Sequence, residues 1–165
     1  MYSKLNGFQI SVPRLSYLPF ILPRLHAFFS SSLIDPVIAP HEAWLSFEGV
    51  PLKWHYPIGL LYDLQSGIQT GDEIQEAQAA GILPWKLTLH YTDFPSDQLI
   101  QMDAEYKVLL DTFINSVKEA DYIRNGSAKV AMGMSKGDSE TLWRSVQTRT
   151  TAHEDDKVNQ CTLHD

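Results

Sequence analysis

The stretch FEGVPLKWHYPIGLLYDL, residues 47–64, decides the fold. Glu48-Gly49 is a turn signal between AWLSFEG and VPLKWH, and Trp44, Leu45 and Phe47 have the bulky, aromatic character that suits a pleated, half-buried surface. The two segments therefore read as short strands of one hairpin. Leu52 and Trp54 alternate with Lys53 and His55, which places Lys53 and His55 on the solvent side of the second strand. Pro57 then suits the first turn of a helix, where its missing N–H would have no partner anyway, and Ile58, Leu61 and Leu64 recur at helical spacing up to Gly67. So many aromatic residues could mark a ligand surface. Trp and Tyr of small domains more often fill the core and find one polar partner, so the core reading outweighs the pocket.

Working outward, residues 5–15 (LNGFQISVPRL) alternate loosely and supply one strand, with Pro13 near its end. Pro23 opens a short helix through LPRLHAFFSS, with Leu25, Phe28 and Phe29 as its buried stripe. Pro36 and Pro40 punctuate a loop. The segment IQTGDEIQEAQAAGI, within residues 66–82, is polar and acidic without an apolar face and reads as an exposed loop. After it, LPWKLTLHYTDFP at 83–95 sends Trp85, Leu87, Leu89 and Tyr91 to one side and Lys86, Thr88 and His90 to the other, the signature of a strand.

Strand, helix, hairpin, helix, strand is an α+β order, and it fits a ubiquitin-like β-grasp domain over residues 1–95 whose first hairpin is incomplete. Half a hairpin leaves an open sheet edge. From residue 96 the pattern turns helical. Asp103 caps a helix through AEYKVLLDTFINSVKEADYI, in which Tyr106, Leu109, Leu110, Phe113, Val117 and Ala120 share one stripe, and Asn125-Gly126 stops it. SKGDSETLWRSVQ carries Leu142, Trp143 and Val146 on a further helix, which needs a surface to pack on. The helix-rich segment thus spans 96–147. Residues 148–165 are polar and aperiodic and read as a disordered tail.

Composition removes several function classes. The chain has 165 residues, 44% of them apolar, with 20 acidic against 13 basic side chains and a net charge of −7. That balance does not suit a nucleic-acid surface, where Lys and Arg must gather against phosphates, and no polybasic run holds the chain to an anionic membrane. The single cysteine, Cys161, forms no internal disulfide and no CxxC pair, and it points to a reducing compartment. SYLPFILPRLHAFF is broken by Pro19, Pro23 and Arg24 and falls short of the roughly 20 residues that span a bilayer. The opening residues show no secretory signal pattern.

Catalytic signatures do not occur: Walker, GxGxxG, GxSxG and HExxH motifs are missing, and HEAW at 41–44 lacks a second histidine. No cofactor or metal is implied. Of the six scattered histidines, only His90 with Asp93 suggests a shared function, and strand alternation puts those two on opposite faces. Lys118 lies about 140° around its helix from Phe113, off the apolar stripe and therefore exposed. A bare lysine, with a pKa near 10.4, has well under one amine in a thousand free at neutral pH, so it needs help to react. On periodicity alone, Lys118 is either one more solvated charge, the commoner case, or a chemical site.

EGVPLKWHYPIGLLYDL, LPWKLTLHYTDFP, FINSVKEADYIRNG at 113–126 and LWRSVQ at 142–147 together resemble the autophagy protein 5 family, over roughly residues 10–147. The resemblance implies an N-terminal ubiquitin-like domain and the beginning of a helix-rich middle. It also implies that the lysine of KEAD, here Lys118, accepts the C-terminal glycine of the ubiquitin-like autophagy protein 12 in an isopeptide bond. The protein would then be a conjugation substrate and scaffold rather than an enzyme. Its partners would be the E2-like autophagy protein 10 and E1-like autophagy protein 7, and then autophagy protein 16. The family's conjugate acts as an E3-like factor for lipidation of autophagy protein 8 with phosphatidylethanolamine, in autophagosome formation and cytoplasm-to-vacuole transport. The implied location is cytoplasmic, with peripheral attachment at the preautophagosomal membrane.

Two features depart from the family pattern. The opening WxGxIPV strand is missing before residue 10, and the sequence after LWRSVQ reads as an unrelated tail where a second ubiquitin-like domain belongs, so the chain looks truncated at both ends. The groove for autophagy protein 16 is built in the family from all three parts. The alternative reading is a non-conjugated β-grasp binding module or inactive fragment.

Overall fold

The structure, a computed structural model, describes residues 7–33, 35, 37–66 and 84–155, and the side chains of all of these except 66 and 149–155. Its elements are α1 (Leu18–Phe29), β1 (Trp44–Phe47), β2 (Val50–Pro51), α2 (Ile58–Ser66), β3 (Thr88–His90), α3 (Lys107–Asn125), α4 (Lys129–Met132) and α5 (Lys136–Asp155), with 3-10 turns at Ser30–Ser32 and Pro40–Glu42. The loop expected at 66–82 lies almost wholly outside the described residues.

The hairpin forms where the turn signal puts it. β1 and β2 pair antiparallel with Phe47 opposite Val50, and the two turn residues Glu48 and Gly49 both take positive φ, at 49° and 83°. Turns of that hand match the twist of the strands they join, and Gly49 takes the conformation without a Cβ to clash. β2 stops at Pro51, sooner than VPLKWH suggests. The chain turns there, with the Tyr56 N–H donating to the Lys53 carbonyl at 3.0 Å. β3 pairs antiparallel with the other side of β1, Leu45 opposite Leu89, giving a three-stranded sheet in the order β2-β1-β3. The strand read over 83–95 exists, but its ladder is confined to three residues.

Two expectations near the start need correction. Residues 7–15 are not a strand; Phe8, Ile10 and Val12 do pack on the core at the period of two that suggested one, but no ladder forms along them. The first helix begins a turn before Pro23, at Leu18, with Pro19 in its opening turn and Pro23 inside it. Pro23 forfeits a single hydrogen bond, to the carbonyl four residues back, which a helix docked by Leu18, Ile21, Leu22 and Leu25 tolerates. Of the stripe read there, Leu25 is buried, whereas Phe28 is 48% exposed.

The core gathers Tyr17, Leu18, Leu22, Leu45, Leu52, Trp54, Ile58 and Leu61, so the aromatic patch around the hairpin is core, as its composition suggests. Two of the indoles find one acceptor each: Trp54 Nε1 donates to the Ile100 carbonyl at 2.8 Å, and the partly covered Trp44 Nε1 to the Thr92 carbonyl at 3.0 Å, whereas the buried Trp85 Nε1 has no partner among the described residues. Leu64 is 65% exposed, because it lies about 240° round α2 from Ile58 while Tyr62 takes the inward place. Lys53 is exposed, but His55 is half-buried, with Nδ1 unpartnered among the described residues. Once the chain turns at Lys53–Tyr56, the alternation of a strand no longer decides which way His55 faces.

The N-terminus of α2 is fixed by a close crossing. The Ile58 N–H donates to the Ser16 carbonyl at 2.8 Å and the Gly59 N–H to the Arg14 carbonyl at 2.7 Å, while the Arg14 side chain pairs with Asp63. Gly59 permits the approach: a Cβ there would lie 2.7 Å from Arg14 Cβ and 3.0 Å from the Arg14 carbonyl oxygen.

The helical part packs on α1 through aromatic side chains. Phe20 of α1 meets Tyr106 at 6.3 Å and Trp143 at 5.6 Å, ring centre to ring centre, and Phe113 of α3 meets Tyr17 at 6.3 Å and Trp143 at 5.5 Å. This answers what the Trp143 helix packs on. Leu109, fully buried, carries α3 into the same core. Asp103 caps α3 by accepting the N–H groups of Lys107 at 3.0 Å and Val108 at 2.9 Å, and Gly126 closes it in the left-handed region at φ 68°. Ala120, read on the apolar stripe, is exposed; the α3 side chains that pack on the core are Val108, Leu109 and Phe113, all in its first half. α5 continues to Asp155, so residues 148–155 are helical, not the tail expected there; a helix already docked through Trp143 and Val146 extends at one hydrogen bond per residue beyond its apolar stripe.

Candidate functional site

Lys118 stands in the third turn from the end of α3. It is half-buried, not exposed as its angle from Phe113 suggests. The reason is the chain reversal at Gly126, which folds the 127–132 segment back along α3. Lys118 then borders an open hollow of about 330 Å³ together with Glu119, Tyr122, Ile123 and Ala128. A helical wheel of α3 alone contains no such neighbour.

The reversal is held by Asp121, three residues after Lys118. One of its carboxylate oxygens accepts the Ala131 N–H at 3.0 Å, and the other accepts the Asn125 side-chain amide at 2.7 Å. The Ala131 N–H, and next the Asn125 amide, hold this carboxyl below its ordinary value. Ala131 is itself buried, and a charge-assisted bond ties α4 to α3 at that residue. With both oxygens of Asp121 engaged, Lys118 makes no ion pair among the described residues. Sequence reasoning missed Asp121. Its signal was present as an Asp–Asn pair at i,i+4 beside the stop at Gly126, a spacing that lets the two side chains meet.

The rim of the hollow is apolar and uncovered: Tyr122 is 62% and Ile123 83% exposed, and nearby Val130 and Met132 are 75% and 72% exposed. Among the described residues no group of His, Cys, Asp and Glu could hold a metal ion, and no helix is long and apolar enough to cross a membrane. His90 and Asp93 are not brought together. The His90 ring stacks on Trp44 at 4.0 Å and its Nε2 meets Ser46 Oγ at 2.8 Å, whereas Asp93 accepts the Thr92 hydroxyl. Burial lowers the His90 pKa.

The described chain is thus a small antiparallel sheet and helices around one core, joined through α1 to a helical region that carries Lys118. Residues 2–91 match the family model described as Autophagy protein ATG5, UblA domain, and residues 107–153 the model of the alpha-helical bundle region of the same protein. The autophagy protein 5 of Aspergillus terreus is 54% identical over 151 residues, covering 88% of this chain and 48% of that protein. For the autophagy protein 5 of Emericella nidulans the identity is 55% over 149 residues, covering 88% and 45%. The crystal structure of Kluyveromyces marxianus Atg5 superposes with a TM-score of 0.64 at 26% identity, over 82% of this chain and 48% of that one.

The chain belongs to the autophagy protein 5 family. It spans about half the length of the curated relatives it matches. The α+β, ubiquitin-like reading of its first part is borne out. The resemblance also reaches further than residues 10–147 in both directions: residues 148–153, read as unrelated tail, belong to the matched helical region, in agreement with the helix they form.

Proposed function

We propose that this chain is a conjugation acceptor, in which the Lys118 amine receives the C-terminal glycine of autophagy protein 12. The amine loses its proton and attacks the thioester carried by the E2-like autophagy protein 10, itself charged by the E1-like autophagy protein 7. A C–N bond forms as the C–S bond breaks, the enzyme's thiolate leaves, and a base on the enzyme takes the second proton that the nitrogen sheds as the amide forms, the first having left the ammonium before attack. The chain is substrate and scaffold in this step, and positioning comes chiefly from the enzyme that holds the thioester. With autophagy protein 16, the conjugate acts as the E3-like factor for joining autophagy protein 8 to phosphatidylethanolamine, in the cytoplasm and peripherally at the preautophagosomal membrane, in autophagosome formation and cytoplasm-to-vacuole transport.

The observation that carries this reading is the setting of Lys118. Within the matched helical region, the lysine of KEAD has no ion-pair partner among the described residues and borders an open hollow with an apolar rim. An amine held by a carboxylate must first be released, whereas this one is presented. Reconstitution of the chain with autophagy proteins 7, 10 and 12 tests it: an adduct forms with the natural sequence and is lost in Lys118→Arg. An adduct that persists in Lys118→Arg refutes the assignment. A folded chain that gives no adduct at all supports the alternative of a non-conjugated binding module.

A further inference from the structure

Resting on that reading of Lys118, we infer that Asp121 is a positioning residue for acyl transfer, latching the 126–131 link against α3 and keeping its own carboxylate away from the amine. Three observations converge on it. An Asp three residues beyond a Lys on a helix is within pairing distance of it, and such a pair would hold the ammonium form and tie down the amine. Here the carboxylate is engaged elsewhere: the Ala131 N–H and the Asn125 amide occupy its two oxygens, at 3.0 and 2.7 Å. The Ala131 bond spans ten residues and fixes the fold-back that brings Ala128 to the same hollow as Lys118.

Asp121 therefore does two things at once. It shapes the surface beside the reacting nitrogen, and it leaves that nitrogen unpaired. Without the latch, the short α4 has little beyond the buried Ala131 methyl to hold it, and the surface facing an incoming donor loses its form. In the described geometry this carboxylate is bonded to the Ala131 N–H and the Asn125 amide and makes no ion pair with Lys118, which points to positioning rather than charge as its working part.

The test measures single-turnover transfer from the charged E2-like enzyme to the full chain, over a range of enzyme concentrations, for the natural sequence, Asp121→Ala, Asp121→Asn and Lys118→Arg. Asp121→Ala is expected to lower the transfer rate at saturating enzyme about tenfold or more, as misplaced reacting groups do. Asp121→Asn keeps an acceptor for the Ala131 N–H and is expected to stay within about threefold of the natural chain, since it preserves the positioning contact. Hydrogen exchange at the Ala131 amide should speed up in Asp121→Ala and not in Asp121→Asn. Equal losses in Asp121→Ala and Asp121→Asn would mean that the charge acts and would overturn the latch, as would natural rates in Asp121→Ala. Transfer that survives Lys118→Arg instead overturns the underlying acceptor assignment, whatever Asp121 does.

Discussion

Gly59→Ala sets two forces of opposite sign against each other. By helix propensity alone the change gains up to about 1 kcal/mol, because alanine loses less chain entropy than glycine in a helix. The structure predicts the reverse. The new Cβ would lie 2.7 Å from Arg14 Cβ and 3.0 Å from the Arg14 carbonyl oxygen, and that carbonyl cannot retreat without giving up the Gly59 N–H bond of 2.7 Å. Forcing a methyl group into a packed crossing costs about 1–3 kcal/mol. Weakening the hydrogen bond costs about 1 kcal/mol more. After the propensity gain, a net loss of about 1–3 kcal/mol remains. Urea unfolding followed by tryptophan fluorescence reads this directly: with a slope of about 1–3 kcal/mol per molar, the midpoint falls by roughly 1 M.

Gly137→Ala is the matching control. Gly137 is likewise the second residue of its helix, but a Cβ there meets only Ser135 Oγ, at 3.8 Å, an ordinary contact. Its midpoint should hold or rise. If Gly59→Ala behaves like Gly137→Ala, the crossing does not hold α2 in place and the reasoning fails.

Other outcomes follow from named contacts. Leu109→Ala, at a fully buried position, should cost about 2–5 kcal/mol in the same unfolding assay, the range for an apolar core truncation. Trp143→Ala removes a half-buried ring from Phe20 and Phe113 and should cost about 2 kcal/mol, near half the loss for a fully buried aromatic; near-UV circular dichroism should lose signal along with it. Burial first, and then the charge of Lys53, lowers the pKa of His55 below its ordinary 6.5. The unfolded chain then binds the extra proton more readily, so stability present above pH 6.5 is lost as pH falls toward the folded value, and His55→Phe should flatten that part of the curve. For Asp103 the backbone N–H of Val108 leads in holding the carboxyl below its ordinary 3.8, so its contribution is present above pH 3.8 and disappears on further acidification; Asp103→Asn should lack that acid-side slope.

The sequence was most legible where one local rule acted alone. Glu48-Gly49 names a turn, Pro57 a helix start and Gly126 a helix stop, and each does what its backbone chemistry requires. It was least legible where a distant partner overrode the local pattern. Phe8, Ile10 and Val12 alternate like a strand, but only pairing makes a strand, and no ladder runs along 7–15. Pro23 reads as a helix opener, yet burial of Leu18 and Ile21 draws the helix back past it. Lys118 was placed correctly on its helix and wrongly in solvent, because a wheel contains only the helix itself. What half-covers it arrives through Asp121 and the Ala131 amide, a bond across ten residues that no periodicity encodes.

The aromatic contacts of α1 bear on how this protein can be divided. The sheet and the helical region match separate family models, yet Tyr17 and Phe20 of the first reach Phe113, Tyr106 and Trp143 of the second, and the Trp54 indole is bonded to the Ile100 carbonyl beyond the seam. A clone ended near residue 95 would strip one side of α1 bare and orphan that indole. A clone begun there would lose the floor under Leu109. The two halves are modules in the catalogue of families and a single object to a protease, and the piece that expresses well is expected to be the one that keeps α1 and α3 on the same polypeptide.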